Sequence, residues 1–216
     1  MKSQSRGISA IRSWTYRRTF IEHVHVLVWR AYSQLDRSTL SVMDEPEISG
    51  LICEAIQVTL DDPNAPDWVD DYEIHDDPPV HDKSRKGKRR RRVDIKLASR
   101  RQRPRTRFCF EAKCLNKNAG VTDYLGKEGL GQFISGAYAA SECDSGMLAY
   151  VQKDDCATWS GKIAAKVDTN KHKLGRGGTW RSILISELIE HCYQTIHNRP
   201  RSLKNITVLH TFLDCT

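Results

Sequence analysis

The stretch that decides the fold is residues 92–115, RVDIKLASRRQRPRTRFCFEAKCL. It contains two apolar runs of strand length, residues 93–97 and 108–113, and the polar, proline-containing segment between them is typical of a hairpin connection. Three charged residues interrupt the two runs: Asp94, Glu111 and Lys113. Charged side chains are costly in a protein core unless they are paired or bind a metal, so their position in predicted strands indicates a site.

The side-chain directions of a strand place these charges together. Successive side chains point to opposite faces, so Glu111 and Lys113, two residues apart, project on the same side. A hairpin partner carrying Asp94 brings a second carboxylate alongside. Hard divalent cations such as Mg²⁺ take oxygen ligands, and a bound cation can activate water and stabilise charge on a phosphate. The pattern therefore predicts a Mg²⁺ or Mn²⁺ site with Asp94 and Glu111 as metal ligands and Lys113 beside them.

Asp94, a sixteen-residue spacer and then Glu111-Ala112-Lys113 resemble the signature of the PD-(D/E)XK, or restriction-endonuclease-like, nuclease superfamily. The proline of that name is absent, because Val93 precedes Asp94. The resemblance covers residues 44–151 and implies an α/β fold, a central mixed β-sheet flanked by helices. A helix predicted over 124–143 and a strand over 146–152 fit the same pattern.

The resemblance also implies an activity. Asp94 and Glu111 are expected to hold Mg²⁺ or Mn²⁺ while Lys113 orients water or stabilises the pentavalent phosphorus, so that a phosphodiester bond is hydrolysed. By the same analogy DNA is favoured over RNA. Small nucleases that lack a motor often work beside a separate ATPase or helicase in restriction or phage defence. The alternatives are a catalytically inactive nucleic-acid-binding subunit of this fold and a basic protein held to a partner by its N-terminal helix.

A helix is predicted to begin at Asp44, the N-cap, with Pro46 in its first turn and Glu47 in the capping-box position. In the resembled family the corresponding first core helix carries an acidic residue that leans toward the metal. Its first-turn position makes Glu45 or Glu47 the candidate here, and simple helix capping is the competing interpretation for Glu47.

Residues 83–92, KSRKGKRRRR, are the strongest electrostatic feature of the sequence. Such a basic loop is flexible when free and can contact nucleic-acid phosphates, although a solubilising insert or a nuclear localisation signal would have the same composition. A second basic cluster lies in the hairpin connection. The predicted nucleic-acid-binding residues are Lys88, Arg89, Arg90, Arg91, Arg92, Arg103 and Arg105.

Length and charge bound the remaining possibilities. The chain has 216 residues and a net charge of +7, which predicts one nuclease-like domain, residues 44–216, an N-terminal helical extension, residues 1–43, and a polyanionic partner. The extension is expected to cover the sheet or to make a homo-oligomer contact, with a nucleic-acid contact as the alternative. Seven scattered cysteines without a CxxC pair indicate reduced thiols and a cytoplasmic location.

Other classes are disfavoured by what the sequence lacks. It has no apolar run of about eighteen residues, so no membrane span is expected. It has neither a phosphate-binding P-loop nor a GxSxG motif, which argues against an ATPase site or a serine-hydrolase elbow in this chain.

The rest of the chain yields a coarse secondary-structure prediction. The glycine-rich start of the predicted helix 124–143, followed by Gln132-Phe133, resembles a pattern in a subgroup of these nucleases. That resemblance implies that Gln132 points to the site or to the phosphate, with an exposed helix glutamine as the alternative. His210 is expected to be a buried, hydrogen-bonded histidine. The remaining predicted elements are helices over 8–35, 159–167 and 182–197, and strands over 68–74 and 206–213.

Overall fold

The computed structural model describes residues 2–80, 86–101, 103–117, 119–200 and 202–216, with side chains from residue 15 onward. In these residues the chain forms a seven-stranded mixed sheet with helices on both faces, and a separate hydrophobic cluster fills each face. The α/β prediction, with a central mixed sheet flanked by helices, is therefore confirmed.

Three helices precede the first three strands, and the remaining three helices lie before and after the fourth strand. The helices are α1 Lys2–Ser33, α2 Arg37–Leu40, α3 Glu45–Asp61, α4 Val121–Leu125, α5 Leu130–Ile134 and α6 Cys156–Thr169. The strands are β1 Tyr72–Asp76, β2 Ile95–Ser99, β3 Arg107–Leu115, β4 Asp144–Val151, β5 Arg181–Ser182, β6 Cys192–His197 and β7 Ile206–Asp214.

The sheet has the order β1-β2-β3-β4-β7-β6-β5. Its centre is parallel, since β3, β4 and β7 run in one direction, and antiparallel pairs flank it on both sides. Strand β4 is buried along almost its whole length, as is usual for a parallel strand covered on both faces. Short helices α4 and α5 provide the crossover from β3 to β4.

Strands β2 and β3 form the predicted hairpin, with Ile95 opposite Phe110 and Lys96 opposite Cys109. The even-numbered residues Phe108 and Phe110 lie in the cluster with α1 and α3, whereas Cys109 lies in the cluster with α4 to α6. The alternation of a strand therefore places Glu111 and Lys113 on the side of Cys109, as the sequence predicted.

Helix α3 begins where its sequence indicates. Asp44 accepts a hydrogen bond from the Glu47 backbone N–H at 3.0 Å, and the Glu47 side chain accepts from the Asp44 N–H at 2.9 Å. Its buried apolar stripe, Ile48, Ile52 and Ile56, faces the sheet. The capping box thus fixes the start of the helix that carries Glu45.

Helix α1 confirms the prediction of a helix that covers the sheet. Phe20, Val24, Leu27 and Ala31 belong to the same hydrophobic cluster as α3 and β3. The Tyr32 hydroxyl donates to the backbone carbonyl of Asp214 in β7. Residues 15–33 are thus part of the central core.

The helix predicted over 182–197 is wrong. The chain there forms the short strand β5, a loop and strand β6, and β6 pairs antiparallel with β7 from Cys192 opposite Thr211 to His197 opposite Ile206. The apolar spacing of this segment is compatible with a helix, but the edge of β7 offers backbone partners that a local pattern does not reveal.

The single helix predicted over 124–143 is also wrong, because two short helices replace it. Gly129 lies so close to the preceding turn that an added Cβ would be 2.4 Å from the Tyr124 carbonyl oxygen. A continuous helix is therefore interrupted at the glycines between α4 and α5. The strand predicted over 68–74 begins later than expected, since a 3₁₀ turn, Asp67–Asp71, precedes β1.

Three simpler expectations are also settled. All seven cysteines are free. His210 is fully buried and lies 3.0 Å from the Tyr124 hydroxyl and 2.7 Å from that of Thr195, as predicted. Within the described part of the chain, no helix combines the length and the apolar character needed to cross a membrane.

Candidate metal centre

Three carboxylates from distant parts of the chain meet at the hairpin. Glu45, Asp94 and Glu111 each offer one oxygen, and these oxygens lie within 4.8 Å of one another. Glu45 comes from the first turn of α3, Asp94 directly precedes β2, and Glu111 lies in β3. The predicted pair, Asp94 and Glu111, is thus brought together, and a third carboxylate joins it.

Asp94 is held across the hairpin by the backbone. Its Oδ2 accepts a hydrogen bond from the Ala112 N–H at 2.6 Å. Burial raises the pKa of Asp94 to about 6, with a smaller contribution from the negative charge of Glu45, although the Ala112 N–H and Lys113 favour the ionised form. The carboxyl group is therefore anchored but poorly solvated.

Glu111 is the most buried member of the cluster, with 5% of its surface exposed. Its Oε1 accepts a hydrogen bond from Lys113 at 3.0 Å, while its Oε2 is buried without a hydrogen-bond partner among the described residues. Burial, followed by the neighbouring charge of Asp94, raises the pKa of Glu111 to about 8. A buried carboxylate oxygen with no partner is rare, and a bound cation would supply the missing interaction.

Lys113 connects the carboxylates. Its Nζ donates to Glu45 Oε1 at 2.7 Å, to Glu111 Oε1 at 3.0 Å and to the Ala112 carbonyl at 2.7 Å. Burial alone would lower the pKa of Lys113, but the charges of Glu111 and Glu45 outweigh it and raise the pKa above its ordinary value. The ammonium is therefore held charged and directed into the cluster.

The structure distinguishes the two candidate glutamates of α3. Glu47 is exposed and caps its helix through Asp44, whereas Glu45 bonds Lys113 and joins the cluster. At 100° per residue, Glu45 lies on the side of the buried Ile48 and Ile52, which directs it toward the sheet.

Gln132 is buried, with 4% of its surface exposed, so the alternative of an exposed helix glutamine is wrong. Its Nε2 donates to Glu128 at 2.6 Å. Within the described residues it forms no hydrogen bond to Glu111 or Lys113, so the structure does not bring it into the hydrogen-bonded cluster.

The predicted nucleic-acid-binding residues fall into different environments. Lys88 and Arg89 are exposed in a 3₁₀ turn, Gly87–Arg89, and Arg103 is exposed in the hairpin connection. Arg90 and Arg91 are half-buried, and residues 83–85 of the predicted loop lie outside the described residues.

Two of these arginines are engaged by acids. Arg92 pairs with Asp77, and Arg105 donates to both oxygens of Glu73 at 2.5 and 2.7 Å. The positive charge of these two residues is thus partly neutralised within the protein.

One residue near the site was not predicted. The Tyr138 hydroxyl donates to the backbone carbonyl of Arg92 and so fastens the segment that leads into Asp94. Burial, followed by the charges of Glu111 and Asp94, raises the pKa of Tyr138 well above its ordinary value, so the phenol stays protonated. Its position after the glycine turn at Gly136 is the sequence signal that could have identified it.

No family model, no curated protein and no solved structure matches the chain.

Proposed function

We propose that the protein is a divalent-metal-dependent nuclease with a restriction-endonuclease-like core, hydrolysing phosphodiester bonds in DNA. The observation that carries the proposal is the partnerless, buried Oε2 of Glu111 inside a cluster that already contains Asp94, Glu45 and Lys113. Buried polar groups are rarely left without a partner, so an ion pair with Lys113 alone does not account for this oxygen.

The donor set fits Mg²⁺ or Mn²⁺. All three groups that can coordinate are carboxylate oxygens, which hard cations prefer, and the cluster contains no thiolate or imidazole. Cation binding would also remove the repulsion among carboxylates whose ionisation is disfavoured by burial, as the raised pKa values of Asp94 and Glu111 indicate.

Each side chain then has a task. When bound, the cation supplies charge beside the phosphate and lowers the pKa of a water. Asp94 and Glu111 hold it, and the Ala112 N–H keeps Asp94 in place. Lys113, fixed by Glu45, positions the attacking water or donates to an oxygen of the phosphate as negative charge develops.

The order of elements supports the family resemblance. Helix α3 carries the accessory glutamate, the β2–β3 hairpin carries the signature, and a helical crossover leads to the parallel strand β4. The preference for DNA, the role in restriction or anti-phage defence and the separate ATPase or helicase partner follow from family analogy.

A second candidate is an inactive nucleic-acid-binding subunit of the same fold. It is favoured by the two ion pairs that Lys113 makes, since an ammonium bound to Glu45 and Glu111 can stabilise the cluster without a cation.

Cleavage assays separate the two candidates. Purified protein is incubated with plasmid and linear DNA in Mg²⁺ or Mn²⁺, beside an EDTA control and the variants Lys113→Ala, Glu45→Gln and Glu54→Gln. We expect metal-dependent cutting that falls roughly a thousandfold in Lys113→Ala. We expect Glu45→Gln to be impaired and Glu54→Gln, an exposed carboxylate on the same helix, to match the wild type.

The other outcomes are equally informative. Cutting that is equal in Lys113→Ala and wild type would identify a contaminating nuclease and refute the assignment. Absence of cutting, together with absence of Mg²⁺ binding in calorimetry, would favour the inactive binding subunit.

A further inference from the structure

A groove of about 400 Å³ lies beside the candidate metal centre on the same side of the hairpin. Lys96, which lines it, follows Asp94 by two residues in β2, and Cys109, which also lines it, precedes Glu111 by two residues in β3. Because alternate residues of a strand share a face, Lys96 and Cys109 lie on the same face of the hairpin as Asp94 and Glu111. At ~3.3 Å per residue, the Lys96 position lies about 7 Å along the strand from Asp94.

The groove is positively charged. Its lining includes Lys96 from β2, Arg107 from β3 and Arg90 from the segment before β2. Lys96 stands opposite Cys109 and Arg107 opposite Ala98, so these two cations occupy diagonal positions on neighbouring strands. Diagonal pairs lie within reach of long side chains, and like charges at such positions repel.

Neither of these two cations has an acidic partner in the part of the chain that the structure describes. Among the described residues, no carboxylate lies within ion-pair distance of Lys96 or Arg107. Glu73, on the adjacent strand, is bound by Arg105 instead. The groove also contains Glu142, whose Oε1 accepts a hydrogen bond from Ser141.

Lys96 is half-buried, and its environment disfavours its charge. Partial burial removes water from its ammonium, and the guanidinium-bearing Arg107 occupies the diagonal position on the neighbouring strand. An anion in the groove would relieve both the desolvation and the repulsion.

We propose that this groove binds the phosphodiester backbone of the DNA strand whose scissile phosphate lies at the metal centre, with Lys96 and Arg107 contacting a neighbouring phosphate. The inference rests on the proposed function and adds the path of the substrate strand. Phosphate contacts of this kind set the register of the strand and carry no sequence information.

The test uses a fluorescein-labelled DNA duplex and Ca²⁺ in place of Mg²⁺, with affinity measured by anisotropy over a range of salt concentrations. Each of Lys96→Gln and Arg107→Gln is expected to weaken binding roughly tenfold and to reduce the salt slope by about 1, so the double variant loses about 2 from the slope. The control Arg37→Gln/Lys162→Gln also removes two charges, but from exposed ion pairs with Asp214 and Asp154 outside the groove, and is expected to match the wild type.

The outcomes distinguish this proposal from the nuclease proposal. A double variant whose affinity and salt slope equal those of the wild type would overturn the groove, even if the wild type cuts DNA. Weaker binding in the double variant, together with wild-type binding in the charge-preserving variant Lys96→Arg, would support the groove even if no protein cuts DNA. Weakening that the Arg37→Gln/Lys162→Gln control reproduces would reflect net charge alone and would also overturn it. Melting curves confirm that each variant is folded.

Discussion

The two ends of the β2–β3 hairpin differ in how their charged side chains are paired. Its tip is the connection, residues 100–106, and its base is the end that carries Asp94 and Glu111. At the tip, arginines meet acids: Arg105 binds Glu73, Arg101 binds Asp71, and Arg100 lies 3.9 Å from Glu73. Toward the base, carboxylates gather around Glu111 and Lys113, and the cations Lys96 and Arg107 line a groove between the tip and the base.

The difference indicates which charges a bound ligand would stabilise. Exposed pairs of opposite sign are satisfied within the protein and contribute little to stability. Like charges brought together under partial burial destabilise the ligand-free protein, and a cation at the carboxylates or a phosphate in the groove would relieve them. If charge density alone were used to choose a candidate ligand-binding region, the tip would be chosen. The balance of charged partners favours the base instead.

The largest effect is expected at Glu111. Its pKa is about 8 in the folded protein against an ordinary 4.5, so its favourable contribution is complete below pH 4.5 and is lost as the pH rises through 8. Glu111→Gln should therefore raise the free energy of unfolding by roughly 2–4 kcal/mol at pH 9 in EDTA, since each pKa unit corresponds to about 1.4 kcal/mol. Urea denaturation at pH 5, 7 and 9 measures this effect.

Adding a metal ion to the same denaturation experiment tests whether Glu111 takes part in cation binding. Mn²⁺ should stabilise the wild type at pH 9 more than at pH 5 and should stabilise Glu111→Gln less. Glu54→Gln provides the control on an exposed carboxylate. An equal decline of stability with pH in wild type and Glu111→Gln would show that this carboxyl group is not the strained member of the cluster.

A smaller effect, on DNA affinity, is expected when the cations of the groove are given an acidic partner like those at the tip. Ala140 is exposed and lines the groove, so Ala140→Glu places a carboxylate near its cations. DNA affinity measured by anisotropy should fall about tenfold, or ~1.4 kcal/mol. Ala140→Gln has a similar size without the charge and should bind like the wild type. An unchanged affinity in Ala140→Glu would place the DNA elsewhere.

The smallest effect, also on DNA affinity, is expected when the arginines at the tip lose their acidic partner. Glu73→Gln removes the partner of Arg105 and Arg100, and the released charges should raise DNA affinity about twofold. The unfolding free energy should change by less than about 1 kcal/mol, because the pair is near the surface. Glu187→Gln removes an exposed negative charge elsewhere and separates net charge from location. A loss of affinity in Glu73→Gln would show that Glu73 orients the arginines for binding.

Much of the site could be predicted because its signals are local. Glu111 and Lys113 are two residues apart in an apolar strand, so their side chains must share a face. The predicted hairpin then places Asp94, on the partner strand, beside them. The first turn of α3 named Glu45 and Glu47 as candidates, and the structure assigns Glu47 to the helix cap and Glu45 to the cluster. Strands were predicted over 146–152 and 206–213, and β4 and β7 lie close to those bounds.

The remaining features depend on which distant segments meet. Arg105 is neutralised by Glu73, 32 residues earlier, and no property of the basic cluster itself indicates this pairing. Lys96 is a single lysine within an apolar strand, which a sequence presents as an ordinary snorkelling side chain. Strand β6 forms because β7 offers it an edge, although the apolar spacing of 182–197 favours a helix.

The bond between Tyr32 and Asp214 has a consequence for how the protein folds, because it joins residues 182 positions apart. The apolar side of α1 also packs against Leu209 and Leu213 of β7 in one cluster. During synthesis, α1 emerges long before the strand that completes its binding surface. Such non-local pairing slows folding, so this core is expected to close only after β7 has been released from the ribosome.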